Sequence, residues 1–164
     1  SSFPSAIDLG IAMQITNICR DVLEDANIDR RYLPGDQIDN LEPKKIINPN
    51  PDNRNLIKKN VKHLLIMADS FYDYSSKGLV FLPWRVRLGI LVASHAYREI
   101  GHILKYRHGC NIWKGRVFTS SRRKTYVAFK AIIRSIFSPS FYFYQPNENL
   151  PPCLQELKFK WHQK

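Results

Sequence analysis

The chain has 164 residues, 44% of them apolar and 12% aromatic, and a net charge of +11. That size and composition suit one domain with a real core and exclude a low-complexity or disordered chain. Three scattered cysteines, Cys19, Cys110 and Cys153, show no metal-ligand spacing and argue against a disulfide framework, which points to a reducing, cytoplasmic compartment.

The opening SSFPSAIDLG has no initiator Met and enters directly at a helix, as a cut through a longer protein would. Pro4, then Ser5 with Asp8 three residues later, form a capping-box-like start and predict a helix from about Ala6 to about Ile28. Ile11, Ile15, Ile18 and Val22 are its apolar stripe, and Pro34-Gly35 close it. A loop rich in Pro and Asn follows, with NPNPDN at Asn48–Asn53 as its clearest breaker. A second helix carries Ile57, Val61, Leu64, Ala68 and Phe71 at helical spacing, with Gly78 as its stop. The third follows Pro83, places Val86, Ile90, Ala93, Tyr97, Ile100 and Leu104 on one face, and ends at Gly109. It contains the greasiest run, GILVASHAY, which is far too short to cross a bilayer. A fourth helix, about Arg122 to Phe137, carries Tyr126, Phe129, Ile133 and Ile136. The expectation is an all-α domain over residues 1–137 with a helix-on-helix core, followed by an irregular tail over 138–164.

Charge is split along the chain. Residues 1–84 hold 10 Lys or Arg against 11 Asp or Glu, and residues 85–164 hold 15 against 3. The second part therefore suits an anionic partner. Within the nearly balanced part, QITNICRDVLEDANIDRRYLP concentrates acid on the first helix. Asn17, Asp21 and Asp25 are spaced i, i+4, i+8, so they form one slanted ridge of oxygen donors, joined by Gln14. Such a ridge is either a solvated face or a site for a hard cation. Mg²⁺ takes one or two carboxylates and completes its shell with phosphate oxygens, while Arg20 and Arg30 could fork onto the remaining phosphate.

The stretch DLGIAMQITNICRDVLEDANIDRRYLP resembles the second aspartate-rich motif of the squalene/phytoene synthase family. The matching residues are Gln14, Thr16, Asn17, Ile18, Arg20, Asp21, Glu24, Asp25, Arg30, Tyr32, Leu33 and Pro34. ADSFYDYSSKGLVFLPWR and ASHAYREIG resemble the family's later helices, so the likeness covers about residues 6–136. Many members have Gly where Asp29 stands, and a Tyr-Tyr pair becomes Phe71-Tyr72 here. The family's first aspartate-rich motif has no counterpart in this sequence. The resemblance therefore implies the C-terminal part of a class I terpenoid synthase helical fold, inactive when isolated.

The resemblance also implies a reaction: two prenyl diphosphates joined head to head through a cyclopropylcarbinyl diphosphate. Asn17, Asp21 and Asp25 would hold Mg²⁺, for which Mn²⁺ could substitute. Gln14, Arg20, Arg30 and Arg98 would bind diphosphate, and Tyr32 and Tyr72 would act with Asp21 and Asp25 in catalysis. The branch most resembled is phytoene synthase, which uses geranylgeranyl diphosphate. A squalene or dehydrosqualene synthase using farnesyl diphosphate is the alternative, and NADPH enters only for a squalene product. Oligomeric state is open.

Two further patterns compete. His95, Glu99 and His102 could share a metal, but the spacing is not that of a zincin helix, and hydrogen-bonded histidines are expected. WKGRVFTSSRRKTY interleaves bases with aromatics, as a nucleic-acid-binding helical module would. That class leaves the acidic ridge unexplained, so no nucleic-acid partner is expected, and a peripheral membrane surface suits the basic run better.

Overall fold

The computed structural model describes residues 3–118, 120–137 and 139–143, which form helices without a strand. Helix α1 spans Phe3–Asn27, α2 Pro43–Ile47, α3 Pro51–Ser76, α4 Trp84–His102, α5 Ser121–Ile136 and α6 Pro139–Tyr142. The longest helices, α1 and α3, pack side by side, α4 crosses both, and α5 lies on α4.

The first helix starts earlier than its capping pair suggests, because Ser5 already lies inside α1. Ser5 instead packs on Gly78, where an added Cβ would come within 2.2 Å of the Ser5 Cβ. Gly78 has φ −82°, so it serves close approach and not a left-handed stop. The other end of α1 is a Schellman motif. Arg30 N–H donates to the Asp25 carbonyl at 2.8 Å and Asp29 N–H to that of Ala26 at 3.1 Å. Asp29 sits at φ +58°, the left-handed region glycine favours, which accounts for Gly at this place in relatives of the motif.

The loop after α1 is more structured than its composition suggests, holding a 3₁₀ turn at Gly35–Gln37 and the short α2. Asn50 then caps α3 by accepting from Asn53 N–H at 2.7 Å, with Pro51 at the first helical position. Past α4 the helix continues as a π turn at Ile103–Arg107 before Gly109, at φ +61°, ends it. Of the tail, Pro139–Tyr142 forms a helical turn where irregular chain is expected, and residues 144–164 lie outside the described residues.

The core lies between α1, α3 and the end of α4. Cys19, Val22, Ile57, Val61, Leu65, Ile103 and Leu104 are buried in one cluster. Each fully buried Ile or Leu there contributes roughly 1.5–3 kcal/mol. This packing fixes the rotation of α1, leaving the ridge of Asn17, Asp21 and Asp25 beside the buried stripe and only partly solvated. Among the described residues no helix is long and apolar enough to cross a membrane.

Candidate functional site

The ridge on α1 is held by bases from two directions. Arg20 forks onto its neighbour Asp21, Nε to Oδ1 at 2.8 Å and one terminal nitrogen to Oδ2 at 2.6 Å. Arg116, from the loop after the 3₁₀ turn Ile112–Lys114, donates Nε–H to the same Oδ1 at 3.0 Å. Burial alone would raise the Asp21 pKa, but the two guanidiniums outweigh it and hold the carboxyl below its ordinary value. Asp25 moves the other way: burial and then the charge of Asp21 push it up, against a smaller pull from Arg30. The two carboxylates one turn apart are thus electrostatically coupled.

Asn17 supplies the third donor. Its Oδ1 is buried and has no hydrogen-bond partner, a costly state for an amide oxygen. Together with two carboxylates it gives three hard oxygens, and an orphaned one fits a cation ligand better than a packed core atom. Among the described residues no three His, Cys, Asp or Glu side chains form a closed metal site, so the ridge is an open, partial donor set. Gln14 lies further along α1 and is exposed. Arg30 is also exposed, and Tyr32, 53% exposed, lines a small crevice with Asp25 and Arg30. The Schellman turn brings both residues back past the C-terminal end of the ridge.

Tyr72 and Arg98 form a second group, linked to the ridge through Thr16. Thr16 gives its hydroxyl proton to the Ala12 carbonyl at 2.9 Å, so its oxygen accepts from the Tyr72 hydroxyl at 3.1 Å. Burial pushes the Tyr72 phenol up to about 12. The Arg98 guanidinium lies 5.8 Å from the Tyr72 ring centroid and is clamped by Asp69 at 3.0 Å and Asp73 at 2.5 Å. Asp69 also accepts from His102 at 3.2 Å and Lys105 at 3.1 Å. Burial alone would raise its pKa, but these cations depress the carboxyl well below the usual range. Tyr72 and Arg98 share a cavity of about 360 Å³ with Leu79, Leu91, Ala131 and Phe141.

The His95, Glu99 and His102 set is taken up by other partners. His95 bonds the Leu91 carbonyl at 3.0 Å, Glu99 pairs with Arg123, and His102 donates to Asp69. These contacts are the hydrogen bonds expected for the two histidines. Sequence reading misses Arg116 and Asp69. Arg116 is legible only as one base in a basic run, since its contact with Asp21 spans 95 positions. Asp69 carries a weak signal, an acid one place beyond buried Ala68 on an apolar stripe.

An all-α bundle with an oxygen-donor ridge, basic side chains upon it and a neighbouring cavity of mixed lining, with Leu79 and Leu91 beside Asp73, Ser94 and His95, is compatible with the layout of an isoprenoid synthase. The chain belongs to the squalene/phytoene synthase family, whose pattern matches residues 3–123 and whose fold is the all-α isoprenoid synthase fold. It is 38% identical over 121 residues to the phytoene synthase of Pseudescherichia vulneris, covering 73% of this chain and 38% of that protein. It is 35% identical over 119 residues to the 15-cis-phytoene synthase of Enterobacter agglomerans, covering 73% and 40%. Against the phytoene synthase of Cereibacter sphaeroides it is 38% identical over 137 residues, covering 82% and 38%. The chain spans about two fifths of the length of these curated relatives. No solved structure matches it significantly.

Proposed function

We propose that the protein carrying this chain joins two molecules of geranylgeranyl diphosphate head to head into phytoene, with Mg²⁺ as cofactor. The observation that carries this reading is the α1 ridge, where the orphaned Asn17 Oδ1 stands one turn from an ionised Asp21 and two turns from Asp25. The names of the relatives support the choice of substrate.

Asn17, Asp21 and Asp25 would hold the metal. Bound Mg²⁺ would draw charge from the diphosphate and ease its departure from the allylic carbon. Arg20 and Arg116 already sit on Asp21 and can turn a nitrogen each to phosphate oxygens, with exposed Arg30 adding charge at the far end. Tyr72 keeps its proton at neutral pH, as any tyrosine does and more firmly for being buried, so it presents a neutral ring and no phenolate to an electron-poor carbon skeleton. Leu79 and Leu91 give the cavity apolar patches against which a prenyl chain would lie, and the rest of the protein would have to complete the water-free enclosure that a cationic skeleton needs. The enzyme would work peripherally at a membrane, where its hydrocarbon product partitions.

The test is product identification. The full-length protein is incubated with geranylgeranyl or farnesyl diphosphate, with and without Mg²⁺ and NADPH, and the hydrocarbon is identified by mass spectrometry. A forty-carbon, Mg²⁺-dependent, NADPH-independent product is expected. A thirty-carbon product would replace the substrate, and no product from either would overturn the reading.

A further inference from the structure

Helix α5 is apolar on two opposite faces, and among the described residues only one of them is packed. Ala131 and Ser135 are buried on the side toward α4. Opposite them, Tyr126, Phe129, Ile133 and Phe137 follow at steps of three, four and four, which an α-helix gathers into an arc of roughly 80°. They are 62%, 64%, 41% and 82% exposed. A solvated helix face does not gather four large apolar side chains, so the stripe marks an interaction surface.

The charge around it selects the partner. Arg122 and Lys130 are exposed on the same helix. From Lys114 to Arg134 the chain carries seven Lys or Arg and no Asp or Glu. Arg123, by contrast, is turned inward onto Glu99 and takes no part. A rim of bases around a stripe of aromatics and an isoleucine matches the boundary between acyl chains and anionic headgroups. Rings and aliphatic groups enter the apolar layer there while guanidinium and ammonium groups meet phosphates. A nucleic acid would use the bases and stack on rings, but it would leave Ile133 against a charged backbone.

We propose that this outer face of α5 docks the protein on an anionic bilayer, with Phe129 and Ile133 at its centre. The geometry stands apart from the α1 ridge, while the choice of lipid rests in part on the reading that the protein handles isoprenoids.

The experiment is flotation of the full-length protein with phosphatidylcholine vesicles, with and without phosphatidylglycerol. Three proteins are compared: wild type, the pair Phe129→Ser/Ile133→Ser, and Arg122→Glu. Wild type should float only with the anionic vesicles and lose binding in high salt, and both variants should bind at least roughly tenfold more weakly. Their melting temperatures and their turnover of detergent-solubilised prenyl diphosphate should match wild type. Wild-type-like flotation of both variants would overturn the docking face. A large fall in melting temperature for the serine pair would show that the face is covered by the protein itself. A shift of that pair from dimer to monomer would assign the face to a second copy, and preferential wild-type binding of RNA would assign it to nucleic acid. Vesicle binding without any condensation product would sink the proposed reaction and leave the docking face standing. Condensation without vesicle binding would do the reverse.

Discussion

Helices α3 and α5 both repeat large apolar residues at helical spacing, yet the molecule treats the two stripes in opposite ways. Ile57, Val61, Leu64, Ala68 and Phe71 of α3 are all below 8% exposed, enclosed by α1 and α4. Tyr126, Phe129 and Ile133 of α5, and Phe137 at its C-terminal cap, are all above 40% exposed. The difference lies in the neighbours. The small α5 residues Ala131 and Ser135 meet α4, so its large residues are turned outward. A stripe of α3 type stabilises the fold, whereas one of α5 type is available for something else.

Substitutions can break that comparison, beginning with the site that the packed half supports. Asp21→Asn in the full-length protein should lower Mg²⁺-dependent turnover by about 10³-fold, or roughly 4 kcal/mol of transition-state stabilisation. Steady-state assays across Mg²⁺ concentrations would check this, and wild-type turnover would remove Asp21 from the metal set. Ile57→Ala, in the sealed core, should cost about 3 kcal/mol in urea unfolding. A loss below about 1 kcal/mol would mean that the α1–α3 seam repacks easily.

Asp69 tests the charged clamp between α3 and α4. Its folded pKa is depressed, so its ion pairs stabilise the protein above the unfolded value of about 3.9 and are lost as pH falls through the folded one. Asp69→Asn should cost about 2 kcal/mol at neutral pH and flatten the acid limb of the stability profile. An unchanged acid limb would assign that limb to other carboxylates. Arg116→Gln should raise KM for prenyl diphosphate about tenfold with little change in stability, because the group acts at an exposed ion pair. The smallest effect belongs to the α5 stripe: Ile133→Ala should change folding stability by under about 0.5 kcal/mol, despite removing the same kind of side chain as Ile57→Ala. Comparable losses for the two isoleucines would erase the distinction.

Much of this is legible in the residues themselves. The four main helices follow from periodicity and from Pro and Gly punctuation, and the ridge follows from four-residue spacing on one of them. Local spacing does not carry contacts made across the chain. Nothing near Arg116 reveals that it lands on Asp21, and nothing near Ser5 reveals that it fills the space beside Gly78 in place of capping α1. The same limit applies to α5, where the pattern locates an apolar face without saying what meets it. Short elements such as α2 fall below the length at which a helical repeat can be read.

The Arg116–Asp21 contact has a thermodynamic consequence. An ion pair this accessible contributes only about 0–1 kcal/mol, so it holds the loop against α1 without locking it there. Any cation that claims the same Oδ1 competes with the guanidinium, and by linkage each weakens the other's hold. Filling the ridge and freeing Arg116 would therefore favour each other, and the mobility of the loop would rise with occupancy of the ridge.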